Sequence, residues 1–253
     1  MRYFVELSYN GGRYCGWQRQ RDAASVQETL ERALSTLLRE PVEVTGAGRT
    51  DTGVHAAYAV AHFDVAAPLT DPEHTAYKLN CLLPDDVAVF GVAPVADDAH
   101  ARFSAAEREY RYFIESRKNP FTRRAAWHYY RPLDVERMDR AAASLLEYDD
   151  FTSFAKLNSN NKTNICHVMR AEWRQNGDML TFTIRADRFL RNMVRAIVGT
   201  LVDVGRGRYT VAQFEDIVRS RDLSRSSAGA PPQGLFLSDV RYPDHIFIRG
   251  GRK

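Results

Sequence analysis

Twelve residues, Gly46 to Ala57, read GAGRTDTGVHAA and place one carboxylate, Asp51, beside one guanidinium, Arg49, in a stretch with three glycines. Two readings fit that pattern. An aspartate in a turn commonly accepts a backbone N–H of its own turn. A carboxylate carried on a bend next to an arginine can instead be presented to a ligand, as a nucleophile or as a base. Spacing alone leaves both open. Other glycine-rich chemistries fit poorly. No third glycine completes a dinucleotide fingerprint after Gly46-Ala-Gly48, the chain continues as a strand where that fold needs a helix, and no Lys-Ser or Lys-Thr makes a phosphate loop. His55 and His62 lack a matching acidic or cysteine set, so no metal centre is expected.

Two more stretches carry candidate chemistry. In FLRNMVRAIVGTLVDV the apolar residues from Phe189 to Val202 cover most of a helical circumference, so the helix is expected to be largely buried. Arg191 and Arg195 sit one turn apart within that surround, and Arg188 lies just before them. A guanidinium buried there needs a carboxylate or a ligand-filled cleft. Asp51 is one candidate partner, and Asp187 and Asp203 are equally eligible ones. In REYRYF, strand alternation puts Tyr110 and Tyr112 on one face among Arg108 and Arg111. That arrangement suits stacking an unpaired base beside its phosphates, or simply packing two rings in a core.

The elements that must position these residues can be read from periodicity. Tyr3, Val5 and Leu7 alternate as a strand, and Ser25-Val-Gln-Glu28 opens an amphipathic helix over about 25–39. Short strands are expected at Val42 to Val44, Ala57 to Val65 and Asp86 to Val95. The second half repeats the mixture: a strand in EREYRYFIE, a helix from Asp134 to about Glu147, and a hairpin around Asn176-Gly177. A long helix then runs from Phe189 to Val204 with Gly205 just past its end. Another helix opens at Thr210, SRSSAGAPPQG (224–234) reads as a flexible loop, and GLFLSDVRYP is a closing strand. The expected fold class is α+β, in two domains of mixed sheet with helices, 1–101 and 102–253.

Composition narrows the class. The 253 residues are 44% hydrophobic and 26% charged, as in ordinary globular proteins. A net charge of +3 decides little, but its distribution is uneven. From Arg102 to Arg131 eight Lys or Arg face three Glu, and from Arg185 to Arg208 six Arg face two Asp. Such excess attracts a polyanion or forms a solvated basic face. Three dispersed cysteines, with no signal-peptide pattern and no membrane-length apolar run, point to a cytoplasmic protein in a reducing compartment without membrane association.

Together these stretches resemble the tRNA pseudouridine synthases of the TruA type. The likeness runs through YNGGRYCGWQRQ, SVQETLERAL, GAGRTDTGVHA, LNCLLPDDVAV, HARFSAAEREYRYFI, DFTSFAK, FLRNMVRAIVGTLVDVGRG and GLFLSDVRYP. It implies a two-domain pseudouridine synthase fold with a basic active-site cleft between the domains, tRNA as substrate, a homodimer, and no metal or organic cofactor. It places the essential aspartate at Asp51, the base-stacking tyrosine at Tyr110, the arginine that pairs with the aspartate at Arg195, and the arginine that helps displace the target base at Arg49. The implied reaction converts uridines on the 3′ side of the anticodon stem-loop to pseudouridine. A glycosidase flanks its scissile bond with two carboxylates, and these motifs offer no second acid. Two positions depart from the family pattern. Thr52 stands where alanine is usual, and Lys162 in NNKTN (160–164) stands where arginine is common and cannot reproduce a bidentate fork.

Overall fold

The alternation at the N-terminus is realised as β1 (Arg2–Tyr9), with Tyr3, Val5, Leu7 and Tyr9 buried, in a computed structural model that describes residues 1–156 and 162–248. Two antiparallel neighbours flank it: β3 (His55–Asp64), with Val5 opposite Ala61, and β4 (Val87–Val95), with Val5 opposite Val92. A two-residue strand, β2 (Thr45–Gly46), pairs with β3; the strand expected at Val42 to Val44 is displaced to this position. α1 (Val26–Leu38) starts where the capping signal put it, Ser25 Oγ accepting from Glu28 N at 3.3 Å. α2 (Pro72–Leu82) was not singled out by periodicity, because only Thr75, Ala76 and Leu79 are buried along it. Its Asn80 amide bonds both Val89 N and Val89 O, at 2.7 and 2.8 Å, and so occupies backbone groups of β4.

The chain divides into two compact units, Met1–Ala106 with the stretch from Leu237, and Glu107–Phe236. Sequence division placed the C-terminal stretch in the second domain. Contacts within the first unit include Tyr242 tilted at 60° against Phe4 with ring centroids 4.9 Å apart, Tyr242 Oη donating to Ala101 O at 2.6 Å, and Ala106 N donating to Arg241 O at 2.8 Å.

In the second unit β5 (Glu107–Glu115) pairs antiparallel with β8 (Met179–Ala186), and β8 with β7 (Val168–Asn176). β6 (Trp127–His128) adds a short parallel pairing to β5, which makes the sheet mixed. The hairpin turn is Gly177-Asp178, with Gly177 at φ +58, one residue later than expected. α3 (Val135–Ala143) continues as a 3₁₀ turn over Ser144–Glu147. α5 (Val211–Ser220) carries the full capping box of Thr210 and Gln213. The last strand is β9 (Leu235–Arg241). With five α-helices among the described residues and mixed strand pairing, the fold is α+β.

Each histidine weighed as a metal ligand has a structural bond. His55 Nδ1 accepts from Gly11 N and His62 Nδ1 from Ala101 N, each at 3.1 Å. His62 is 7% exposed, and burial, Arg2 and His100 bring its pKa down to about 4. The groups around it are Arg2, Asp64 and His100; His100 is lowered too, by burial and Arg2, whereas the Asp64 charge acts the other way. Between about pH 4 and 6.5 the unfolded chain therefore binds a proton that folded His62 refuses, and stability falls on acidification through that window. The slope is up to about 1.4 kcal/mol per pH unit. Urea unfolding from pH 4.5 to 7 reads it, and His62→Asn, which keeps an acceptor for Ala101 N, is expected to flatten the profile.

Candidate active site

Asp51 lies on the bend between β2 and β3, half-buried, with Arg49 and Thr52 exposed on either side. The bend is held by residues far away in sequence. Tyr9 Oη bonds Thr50 Oγ1 at 2.9 Å, Trp17 N donates to Thr50 O at 3.2 Å, and Gly53 N donates to Tyr14 O at 3.3 Å. Within the bend Val54 N donates to Asp51 O at 3.1 Å.

Close approach explains two glycines of NGGRYCGW. A Cβ on Gly11 would lie 2.0 Å from Val54 O, and one on Gly16 would lie 2.4 Å from Thr50 O. Gly16 also has φ +93, a conformation other residues adopt at a cost of roughly 1–2 kcal/mol. Of the three glycines in the bend itself only Gly53 (φ +76) uses the left-handed region, while Gly46 makes room for the Trp17 ring. Gly16→Ala is expected to destabilise the chain by about 2 kcal/mol or more and to displace the Asp51 backbone. Urea unfolding checks the first effect, and backbone chemical shifts of residues 50–54 check the second.

Arg49 forms no ion pair among the described residues. It is an exposed cation two residues from the carboxylate. Thr52 points to no packing constraint, being exposed in the turn.

In the second unit the two tyrosines of β5 separate cleanly. Tyr112 is fully buried, its ring perpendicular to Trp127 at 6.4 Å and its hydroxyl donating to Pro231 O at 2.7 Å. Burial pushes that phenol's pKa well above its ordinary value. Tyr112 is thus a core residue. Tyr110, two residues earlier on the same face, is half-buried and meets Phe189 at 5.0 Å with the rings perpendicular.

α4 (Met193–Gly205) begins four residues later than expected, because Asn192 caps it in the left-handed conformation at φ +66. Arg191 therefore precedes the helix and is exposed, while Arg195 sits half-buried in its first turn. Gly205 is the last helical residue, not the one beyond; a Cβ there would lie 2.5 Å from Met138 Sδ on α3.

The segment read as a flexible loop is docked on α4. Ser227 bonds Thr200 Oγ1 and Asp203 Oδ2, and a Cβ on Gly199 would lie 2.1 Å from Ala228 O. Arg195 Nε donates to Ala230 O at 2.7 Å, and Ala230 N returns a bond to Arg195 O at 2.9 Å. Tyr112 bonds the next carbonyl, Pro231 O. Residues 228–231 thus fix the guanidinium of Arg195 against the strand that carries Tyr110. The signal for this lay in the run of small residues, which permits close packing as readily as flexibility.

The basic excess of the second unit is partly internal. Glu109, 3% exposed, is bonded by Arg185 at 2.6 Å and Arg111 at 3.1 Å. Burial acts to raise its pKa, but the arginines outweigh it and hold the carboxyl below its ordinary value. Asp203 is taken by Arg206, Arg208 and Ser227. Lys162 is exposed, whereas Asn160 and Asn161 of the same motif lie outside the described residues.

A family model described as tRNA pseudouridine synthase matches residues 7–104 and 141–243, well over half of the chain. The chain belongs to this family. It is similar over nearly its whole length to proteins named tRNA pseudouridine synthase A. That of Bacteroides thetaiotaomicron is 53% identical over 255 aligned residues, covering 100% of this chain and 94% of the relative. That of Parabacteroides distasonis is 49% identical, covering 97% and 98%. That of Gloeobacter violaceus is 42% identical, covering 99% and 83%. Asp51, Arg49 and Arg195 fall within the matched spans, whereas Tyr110 falls between them. Among the described residues no helix is long and apolar enough to cross a membrane.

Proposed function

We propose that the chain isomerises uridine to pseudouridine in the anticodon stem-loop of tRNA, with Asp51 as its one catalytic carboxylate. The observation that carries this reading is the family match over both halves of the chain, with GAGRTDTG inside it on a bend that residues 9–17 hold in place. The reaction breaks the bond from ribose C1′ to uracil N1, turns the retained base, and joins C5 to C1′. The proton leaves C5 and N1 ends protonated, so the mass of the RNA is unchanged. One carboxylate suffices, either attacking C1′ or removing a sugar proton.

The remaining roles follow in the same reading. A stem uridine reaches Asp51 only after extrusion, which costs a few kcal/mol. Tyr110 receives the extruded base, Arg49 takes the vacated place or holds the displaced backbone, and Arg195 pairs with Asp51 and aims it. The Ala230 bond to Nε supports this role, because it sets the plane of the guanidinium. The homodimer rests on the family resemblance alone. A cytoplasmic setting is supported by three free cysteines, of which Cys166 is buried with its thiol pushed up to about 12 by desolvation.

Incubation of the purified chain with unmodified tRNA, followed by nucleoside digestion and intact-mass measurement, tests the reaction class. Pseudouridine at unchanged RNA mass is expected. Loss of uracil would make the protein a nucleosidase instead.

A further inference from the structure

Residues 116–131, SRKNPFTRRAAWHYYR, hold five Lys or Arg and no Asp or Glu. Arg117, Lys118, Arg123, Arg124 and Arg131 are all exposed, and among the described residues none of them forms an ion pair. That separates them from Arg111, Arg170, Arg174 and Arg185 on the neighbouring strands, each of which meets a glutamate. At the tip of the turn Phe121 is 94% exposed.

The backbone that displays these groups is fixed. Glu115, 6% exposed, accepts from Asn119 Nδ2 at 3.0 Å and from Thr122 Oγ1, and His128 Nε2 lies 3.5 Å from it. Asn119 Oδ1 accepts from Phe121 N at 3.0 Å, and Tyr129 N donates to Glu115 O at 2.9 Å. Ser116 is tied to Asp178 of the β7–β8 turn. One buried carboxylate thereby organises a turn whose outward side is cationic and aromatic.

We propose that residues 117–131 are a second contact surface for the RNA substrate, gripping backbone phosphates with the five cations while Phe121 stacks on an unpaired base. This rests on the reading of the chain as a tRNA-modifying enzyme. Unpaired exposed cations next to an exposed ring are the groups that hold a nucleic-acid strand without reading its sequence. Tyr110 is five residues from Glu115 along β5, a span of about 17 Å at strand rise. The phosphates held here therefore belong to nucleotides other than the one stacked on Tyr110. A membrane suits the surface less well, because the turn offers no amphipathic helix and no apolar stretch to insert.

The test is a quadruple variant, R117A/K118A/R123A/R124A, made in an Asp51→Asn background so that turnover does not enter, with binding to whole tRNA measured from 50 to 300 mM salt. Relative to Asp51→Asn alone, the slope of log affinity against log salt is expected to drop by about 3, with at least about tenfold weaker binding at physiological salt. Thermal melting checks that the fold is kept; should the quadruple variant not fold, the pair R123Q/R124Q is expected to lower the slope by about 1.5. An unchanged slope in a folded variant overturns the proposal. So does unchanged tRNA binding with lost binding to phosphatidylserine vesicles, which would assign the surface to a lipid. Failure of the unaltered chain to make pseudouridine would remove the reading of the reaction, and the slope would still report whether this surface grips RNA.

Discussion

Asp51→Asn lowers pseudouridine formation by about 10⁴-fold or more, and tRNA still binds. Asparagine keeps the size of the side chain and can neither attack a sugar carbon nor accept a proton. A positioned base alone contributes up to about 10⁴-fold, and the reaction proposed here has no second carboxylate to substitute for the first. The bend is held through backbone and hydroxyl contacts at Thr50, Gly53 and Val54, none of which uses the Asp51 side chain. The near-isosteric replacement therefore leaves the bend in place, and tRNA affinity changes little. Single-turnover assays with excess enzyme read the rate, and filter binding reads the affinity. Residual activity within tenfold of the unaltered chain would remove Asp51 from the chemistry.

Tyr110→Ala reduces kcat/KM by roughly 5- to 150-fold, the equivalent of 1–3 kcal/mol of base stacking. Tyr110→Phe, which keeps the ring, stays within a few-fold of the unaltered chain if stacking is the role. Tyr112 cannot replace it, because its ring is enclosed and its hydroxyl is bound to Pro231 O. A Tyr110→Ala enzyme of undiminished kcat/KM would move the platform off β5 altogether.

Local signals read well where a short window carried the physics. Ser25 and Thr210 sit at helix starts because their side chains satisfy N–H groups three residues on, and both starts were legible. The start of α4 was not, because a left-handed asparagine at 192 leaves no mark in the apolar pattern of Phe189 to Val202. Gly205 looked like a stop signal, yet its role is to admit Met138. Residues 224–234 have the composition of a free loop, but their small side chains let the backbone press against Gly199 and grip Arg195.

The site divides the same way. Asp51 stood out by residue type and by the turn around it, and Arg195 by being a charge in an apolar helix. Alternation could not separate Tyr110 from Tyr112, since both lie on one face of β5 and differ only in depth along it. The clamp of Tyr9, Tyr14, Gly16 and Trp17 on the aspartate bend was illegible, because it joins segments more than thirty residues apart. Nor could the sequence divide the arginines of the second unit into those that meet glutamates and those of residues 117–131 that do not.

The most direct test of the account is nucleotide-resolved pseudouridine mapping of one tRNA transcript treated in parallel with the unaltered chain and with Asp51→Asn. The account expects pseudouridine on the 3′ side of the anticodon arm in the first sample and none in the second. Equal modification in both samples would contradict it.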